Sequence, residues 1–218
     1  MINITIDGPS GAGKSTVARA VAKKLGYIYL DTGAIYRALA YTALNAGVDV
    51  TDGKRVSEYI AAVDADVRYE GGEQRVFSGG IDVTEHIRAH RISKAASDIS
   101  KHTEVRIKLS EIQRKIAAAN NAVLDGRDAG TYVLPNAKYK FFLTADIGER
   151  ARRRYAELAL KGAEITIERV LKDIEARDYN DTNRDFAPLR QALDAEYIDS
   201  TGKSAEEVAE YIVGKVEN

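Results

Sequence analysis

The fold is decided by residues 2–25, which read INITIDGPSGAGKSTVARAVAKKL. Residues 2–7 form a short β-branched run, which predicts a buried strand. Glycines interrupt the run over 8–13, and apolar residues then recur every four positions at Val17, Val21 and Leu25, which predicts a helix. Gly26 stands where a helix end favours glycine, and the apolar run 27–30 predicts a second strand. This part of the chain is therefore predicted to form a strand, a loop, a helix and a strand.

The loop between the first strand and the helix matches a phosphate-binding motif. Residues 8–15, GPSGAGKS, fit the pattern G-x-x-x-x-G-K-[ST] in the strand-loop-helix context that the motif requires. Glycines let the backbone wrap around a phosphate chain, and the positive end of the helix favours anions. We expect Lys14 to contact the β- and γ-phosphates of a bound nucleotide and Ser15 to ligate Mg²⁺. A glycine loop without a ligand is the structural alternative. The predicted ATP-binding residues are Gly8, Pro9, Ser10, Gly11, Ala12, Gly13, Lys14, Ser15 and Thr16.

Strands and helices alternate along the rest of the chain. Periodic apolar residues predict helices near 35–46, 56–63, 105–116, 148–160, 165–177 and 208–216, and extended runs predict strands at 122–125, 139–143 and 197–198. Short alternating stretches between Asp64 and Thr84, separated by paired glycines, predict a small inserted hairpin or meander. This alternation indicates an α/β fold, a P-loop NTPase-like doubly wound parallel sheet of about five strands flanked by helices.

The composition excludes several classes of protein. Lys and Arg number 32 against 33 Asp and Glu, so the net charge of -1 provides no overall basic field for nucleic acid or anionic lipid. The absence of cysteine excludes a disulfide framework, a thiol nucleophile and a Cys-ligated metal. No apolar stretch approaches the ~20 residues that span a bilayer. We expect a cytoplasmic monomer that binds neither nucleic acid nor membrane.

The phosphate-binding loop by itself is compatible with ATPases, GTPases and small-molecule kinases. GTPases add an Asn-Lys-x-Asp motif that reads guanine, and the sequence contains none. Motor and transporter ATPases tend to be larger than 218 residues. A kinase for a small acceptor remains, and it needs an acceptor pocket and arginines that neutralise the transferred phosphoryl group. The rival interpretation is an RNA-associated ATPase or a nucleotide-binding regulatory module.

Three further motifs follow the loop in a familiar order. They are DTGAIYR at 31–37, DGRD at 125–128, and ARD at 176–178 followed by Asn183 and Arg184. With these motifs and the insert, the chain resembles the bacterial cytidylate kinases from its first strand to its last helix. The resemblance implies phosphoryl transfer from ATP·Mg²⁺ to CMP or dCMP. A kinase for UMP, AMP or shikimate is the alternative from the same chemistry.

The resemblance also implies how the chain is divided. It implies a single P-loop kinase domain over 1–218, with a core made of 1–63, 103–147 and 190–218. Residues 64–102 would form an insert that binds the nucleoside monophosphate, and residues 148–189 would form an arginine-rich lid.

The acceptor site is assigned by the same resemblance. It implies that Arg37 and Arg127 hold the α-phosphate of the acceptor, and arginine suits this role because its guanidinium binds phosphate bidentately. Ser97, Arg106 and Asp128 would bind the base, where a carboxylate facing N4 of cytosine would exclude uracil. Alternatively, Arg106 and Asp128 form a surface ion pair and Ser97 is an ordinary helix residue. The other implied substrate-binding residues are Thr32, Tyr36, Arg177, Asp181 and Arg184, and the implied catalytic residues are Lys14, Arg154 and Arg184.

Four arginines fall within the five positions 150–154. A run of charge is usually a solvated helix face, yet Arg150 and Arg154, one turn apart, repel unless an anion lies between them. Nucleotide phosphates would supply that anion. Which of Arg150, Arg152 and Arg153 faces the nucleotides stays open.

A second candidate for the metal site is Asp125, which ends a buried strand beside the phosphate-binding loop. It would either join Ser15 at Mg²⁺ or cap a helix. Both interpretations stay open.

Overall fold

The structure is a computed structural model that describes residues 1–160 and 162–217, which contain eight strands. They are β1 Asn3–Asp7, β2 Ile28–Asp31, β3 Ala65–Glu70, β4 Glu73–Ser78, β5 Ile81–Asp82, β6 Ala122–Gly126, β7 Tyr139–Thr144 and β8 Glu196–Asp199. Five of them form a parallel sheet in the order β2-β6-β1-β7-β8. The remaining three form an antiparallel sheet in the order β3-β4-β5. The predicted five-stranded, doubly wound parallel sheet and the predicted meander are both confirmed.

Eight α-helices and one short π-helix complete the described part of the chain. They are α1 Lys14–Leu25, α2 Thr32–Asn45, α3 Gly53–Ala62, α4 His90–Ile99, α5 Thr103–Ala119, the π-helix Ala129–Val133, α6 Ile147–Leu160, α7 Ile167–Asn183 and α8 Ala205–Glu217. Within residues 1–160 and 162–217, no helix has the length and apolar character needed to cross a membrane. Residue 161 of the predicted lid and residue 218 of the predicted core lie outside the described residues.

The sequence predictions missed α4 and the π-helix. In α4 the buried residues Ile92, Ala95, Ala96 and Ile99 have a helical spacing of three, one and three, so a signal was present. The π-helix spans only five residues, too few for a periodic pattern. Helix α7 also continues past its predicted end to Asn183.

Helices cover both faces of the parallel sheet. One face packs on α1 and α8 through a core that includes Val17 and Ile212. The other packs on α2 and α5 through a core that includes Leu39, Leu109 and Leu124. Parallel sheets are stable when both faces are buried in this way.

The carboxyl ends of β1, β2 and β6 meet at one edge of the sheet and place three aspartates there. Asp7 ends β1, Asp31 ends β2, and Asp125 pairs in register with both Ile6 and Asp31. The glycine loop leaves this same edge, between β1 and α1. Ligands of doubly wound sheets bind outside the carboxyl ends of the strands, so the predicted phosphate site lies where this fold binds ligands.

Two smaller units pack around that edge. The antiparallel sheet and α4 pack on α2 through residues that include Ala38, Val76 and Ile92. Helices α6 and α7 share a separate small core that includes Ala151 and Val170. The division of the chain into core, insert and lid stays a prediction.

Candidate active site

The glycine loop adopts a backbone conformation that other residues resist at two positions. Gly8 has a φ of 149°, and a Cβ there would collide with the carbonyl oxygen of Leu143. Gly13 has a φ of 89° and precedes α1, whose first amides have no side-chain acceptor at the cap position. Exposed amides at a helix N-terminus attract anions. The loop geometry fits the phosphate-binding role predicted from the sequence.

Lys14 lies buried beside this loop. Its Nζ donates to the carbonyl oxygen of Pro9 at 2.6 Å, and the residue is 5% exposed. Burial and, to a smaller extent, the nearby charge of Arg127 lower the pKa of Lys14 to about 7. A phosphate chain in the loop would supply the negative charge that stabilises the ammonium.

The Asp125 carboxylate joins the glycine loop to β2. Ser15 Oγ donates to Asp125 Oδ2 at 2.7 Å, and the Tyr29 hydroxyl donates to Oδ1 at 2.8 Å. Burial raises the pKa of Asp125, and the charge of Asp31 raises it further. Neither hydrogen bond comes from a helix amide, so the alternative that Asp125 caps a helix is wrong.

The adjacent oxygens of Ser15 and Asp125 fit a magnesium ion. A hydroxyl and a carboxylate are the hard oxygen donors that Mg²⁺ prefers, and Mg²⁺ usually keeps waters and substrate phosphates as its other ligands. No cluster of three or more Asp, Glu, His or Cys side chains in the described ranges is positioned to hold a metal without such help. The donor set therefore matches a metal that arrives with a nucleotide.

A single cavity of about 660 Å³ brings most of the predicted site residues together. It extends from the glycine loop to α4. The predicted residues that line it are Ser10, Gly11, Ala12, Gly13, Lys14, Ser15, Thr16, Thr32, Tyr36, Arg37, Ser97, Arg106, Asp125, Arg127, Asp128, Arg154, Arg177, Asp181 and Arg184. Gly8 and Pro9 belong to the predicted set but do not line the cavity.

Several lining residues were not predicted from the sequence, among them two groups of polar residues. Ser93 and Ser100 lie on the same face of the α4 region as Ser97, at spacings of four and three, and all three line the cavity. Ser200 and Lys203 follow β8 and line the opposite end, near the glycine loop. Predicting α4 would also have identified its serines as one face of a helix. The segment after β8 carries no motif that could have indicated Ser200 and Lys203.

Arg106 and Asp128 form a buried ion pair at the α4 end of the cavity. Their closest atoms are 2.6 Å apart, and their side chains are 2% and 9% exposed. The alternative that they form a surface pair is therefore wrong. Arg106 also donates to the carbonyl oxygen of Ser100 at 3.3 Å and lies over the ring of Tyr36. Asp128 Oδ2 and Arg106 Nε have no hydrogen-bond partner within the described residues.

A second charged group lies between this pair and the glycine loop. Arg127 Nε donates to Asp181 Oδ2 at 2.7 Å. Arg184 lies 3.5 Å from Asp181 and 3.5 Å from Asp128. Three arginines, Arg106 included, therefore share two carboxylates, which leaves an excess of positive charge facing the cavity.

Two further arginines extend the positive surface. Arg37 on α2 pairs with Asp31 at 2.8 Å, close to the N-terminus of its own helix. Arg177 on α7 donates no hydrogen bond within the part of the chain that the structure describes. Burial, together with the charges of Arg127, Arg154 and Arg37, lowers the pKa of Arg177 to about 10. Such crowding of cations is relieved when an anion binds among them.

The arginines of α6 divide among three environments. Arg150 is buried and donates to the carbonyl oxygen of Ser10 at 2.8 Å and to Asp178 at 2.5 Å. Arg152 points outward, with 66% of its side chain exposed, and pairs with Glu149. Arg153 lines the cavity and donates to the Ser200 carbonyl oxygen at 2.8 Å.

Arg150 and Arg154 do not repel one another in the way that the sequence predicted. Arg150 and Arg154 were expected to need an anion between them, but each has a carboxylate of its own. Arg150 pairs with Asp178, and Arg154 pairs with Glu157 at 2.7 Å. Arg154 still lines the cavity.

Comparison with known proteins identifies the family. The cytidylate kinase family model matches residues 4–218. The cytidylate kinase of Halalkalibacterium halodurans is 48% identical over 215 residues, which cover 99% of this chain and 97% of that protein. The cytidylate kinase of Bacillus subtilis is 46% identical over 216 residues, covering 99% and 96%.

Solved structures with lower identity share the fold. A gluconokinase from Sinorhizobium meliloti is 12% identical and superposes with a TM-score of 0.50, covering 99% of this chain and 91% of that one. An uncharacterised protein from Eubacterium ventriosum is also 12% identical, with a TM-score of 0.55 and coverage of 100% and 99%. These likenesses concern the architecture alone. The match of the family model to nearly the whole chain, with relatives near half identity, shows that this chain belongs to the cytidylate kinase family.

Proposed function

We propose that the protein transfers the γ-phosphoryl group of ATP to CMP or dCMP, giving ADP and CDP or dCDP. The continuous cavity carries this proposal, because it joins the glycine loop at one end to the buried Arg106–Asp128 pair at the other. Cationic side chains lie between the two ends, where donor and acceptor phosphates would meet. Membership of the cytidylate kinase family supports the same reaction.

The orphaned oxygen of Asp128 supports cytosine as the base. Asp128 Oδ2 is buried, lies on a lining residue and accepts no hydrogen bond from the described residues. Cytosine presents an exocyclic amino donor, whereas uracil presents a carbonyl oxygen at the same place. A buried acceptor left without a donor costs about 1–3 kcal/mol, and a carboxylate costs more. Cytosine would remove that cost and uracil would not.

The phosphate of the acceptor would be held by Arg37 and Arg127. Both line the cavity, and each is oriented by one aspartate, Asp31 and Asp181 respectively. Guanidinium groups fixed in this way bind phosphate oxygens with little further ordering. Asp181 would also accept a hydrogen bond from a sugar hydroxyl.

Charge neutralisation would do most of the catalytic work. An oxygen of the acceptor phosphate forms a bond to the γ-phosphorus while the bond from that phosphorus to the β–γ bridging oxygen breaks, which releases ADP. The attacking oxygen is already anionic, so no strong base is required. Lys14, Arg154 and Arg184 would stabilise charge on the transferred group. Magnesium held beside Ser15 and Asp125 would neutralise charge on the donor phosphates.

We further propose that residues 64–102 act as the acceptor-binding insert and residues 148–189 as a lid. Helices α6 and α7 support this division because they share a small core of their own while carrying Arg154 and Arg177 into the cavity. Closure of such a segment would exclude water and prevent hydrolysis of ATP.

The proposal is tested by coupled ADP release with a panel of acceptors. We expect rapid turnover with CMP and dCMP, slow turnover with UMP, AMP and shikimate, and no stimulation by RNA. Equal rates with uridine and cytidine acceptors would contradict the assignment of the base site. Turnover that depends on RNA instead of CMP would favour an RNA-associated ATPase.

A matched pair of lysine variants completes the test. Lys14→Ala removes the buried amine beside the glycine loop, and Lys54→Ala removes an exposed one from the first turn of α3. We expect turnover to be lost only in Lys14→Ala, with both variants folded by circular dichroism. Near-normal activity of Lys14→Ala would refute the phosphate assignment.

A further inference from the structure

Asp7 is a buried carboxylate that the proposed reaction does not use. It ends β1, is 4% exposed and does not line the cavity. Its two oxygens accept hydrogen bonds from two consecutive backbone amides. Ala129 N donates to Oδ1 at 2.8 Å, and Gly130 N donates to Oδ2 at 2.7 Å.

These two amides open the π-helix. Asp128 occupies the cap position, and its own side chain makes no capping hydrogen bond. The Asp128 carbonyl oxygen accepts from the amide of Val133 at 3.1 Å, which closes the first wide turn. The first amides of a helix need an acceptor from outside the helix. Asp7 supplies it from a strand more than a hundred residues away in the chain.

Two glycines pack against the Asp7 carboxylate. A Cβ at Gly126 would lie 3.4 Å from Asp7 Oδ1, and one at Gly130 would lie 3.3 Å from Oδ2. Both glycines flank the segment 126–130, which carries Arg127 and Asp128 into the cavity. Asp7 is also paired in register with Gly126 across the parallel sheet. The segment is therefore fixed to β1 through both its backbone and the carboxylate.

We propose that Asp7 is a positioning residue that fixes Arg127 and Asp128 at the acceptor end of the cavity by holding the start of the π-helix. The proposal rests on the proposed function, because it assigns these two side chains to the acceptor nucleotide. Asp7 itself touches neither substrate.

The electrostatic environment of Asp7 agrees with a role in holding the start of the π-helix. Burial raises the pKa of Asp7 to about 6, and the charge of Asp128 raises it as well, while the two amides and Lys14 lower it. Burying a carboxylate costs folding free energy unless hydrogen bonds or an opposite charge compensate for its lost hydration. The hydrogen bonds that offset this cost are those to the segment carrying Asp128.

The test compares Asp7→Asn with a matched control, Asp52→Asn. Asp52 also accepts two amides at a helix start, those of Lys54 and Arg55 on α3, and lies outside the cavity lining. In Asp7→Asn the remaining oxygen still accepts a hydrogen bond from one backbone amide. The new NH₂ group faces the other backbone amide and cannot accept its hydrogen bond. Losing one charge-assisted hydrogen bond lowers the population of the correctly placed segment by about tenfold, and the apparent affinity for CMP falls with that population. We expect the KM for CMP to rise by about that factor and the KM for ATP to stay unchanged, with both constants unchanged in Asp52→Asn.

A second variant disturbs the contact between Asp7 and the π-helix by moving the helix instead of the carboxylate. A Cβ at Gly130 would come within 2.8 Å of Thr5 Oγ1, so Gly130→Ala displaces the segment while Asp7 stays in place. We expect the same selective rise in the KM for CMP. The double variant should show a smaller effect than the product of the two single effects, because both act through one contact. If Asp7→Asn does not fold, Gly130→Ala decides the question by the same measurement.

Hydrogen exchange gives a readout that does not depend on turnover. The amides of Ala129 and Gly130 should exchange faster in Asp7→Asn than in the wild type, and at the wild-type rate in Asp52→Asn. An equal rise in both KM values, a fall in kcat alone, or unchanged constants in Asp7→Asn would overturn the proposal. A wild-type protein that does not phosphorylate CMP would instead refute the proposed function, so the two failures are distinguishable.

Discussion

The substitution Asp128→Asn tests the buried ion pair most directly. It keeps the shape of the side chain and removes its charge. Arg106, whose side chain is 2% exposed, then loses a carboxylate 2.6 Å away, and Arg184 loses one 3.5 Å away. Removing one partner of a buried pair costs about 3–5 kcal/mol. Because the amide oxygen still accepts a hydrogen bond, we expect a loss near the lower end, about 3 kcal/mol.

Two assays follow from this magnitude. For a chain of this size about 3 kcal/mol corresponds to a fall of roughly 6–12 °C in Tm. The carboxylate also accepts the amino group of cytosine in the proposed complex, so kcat/KM for CMP should fall about a hundredfold. An amide can instead donate to O4 of uracil. The ratio of kcat/KM between CMP and UMP should therefore fall by at least as much.

The control is Asp194→Asn. Asp194 accepts from Lys140 at 2.9 and 2.7 Å, and the Lys140 side chain is 4% exposed. This variant also leaves a buried cation without its carboxylate, but Asp194 does not line the cavity. We expect lower stability with an unchanged CMP/UMP ratio. The reasoning is refuted if Asp128→Asn melts at the wild-type temperature or if the two variants share one CMP/UMP ratio.

Three further predictions concern the donor side of the cavity. Burial lowers the pKa of Lys14 from 10.5 to about 7 in the folded protein. Below about pH 7 the buried amine is charged and destabilises the fold, and this destabilisation decreases as the pH rises towards 10.5. Lys14→Met should therefore lose turnover yet gain stability over the wild type near pH 6, with a smaller gain near pH 10, as measured by urea unfolding at about those two pH values. Asp178→Asn should raise the KM for ATP several-fold without changing that for CMP, since Asp178 accepts from Ser10 N at 2.9 Å. The control is Asp173→Asn, because Asp173 pairs with Arg169 on the same helix and lies outside the cavity lining, so both KM values should stay unchanged. Tyr29→Phe removes the donor to Asp125 Oδ1 and should lower the free energy of unfolding by about 1–3 kcal/mol in urea, and a wild-type value would contradict that contact.

The sequence predicted the central architecture because its signals are local. The glycine spacing at 8–13 and the four-residue period of Val17, Val21 and Leu25 report on the backbone that adjacent residues adopt. The α4 helix was missed although its pattern was present. The π-helix was missed because five residues are too few for a periodic pattern and because its first amides donate to Asp7, far away in the chain.

On the acceptor side of the cavity, prediction from the sequence is limited for a different reason. Motif order and family resemblance named Arg106 and Asp128, but whether they form a surface pair or a buried one depends on how α5 packs under the sheet edge. The same holds for the arginines of α6. The helical period places Arg150 and Arg153 on one face and Arg152 on another, yet the period does not say which face meets the glycine loop.

The sequence by itself determined the strand-loop-helix at the N-terminus, the alternation that builds a parallel sheet, and the set of residue types suited to phosphate. These follow from the conformational preferences of neighbouring residues and from motif spacing. Only the tertiary structure decided that Arg150 holds Ser10 rather than a nucleotide, that Asp125 accepts from Tyr29, and that Asp7 caps the π-helix. Each of these contacts joins residues far apart in the chain, and their energies arise only when packing has removed the groups from water.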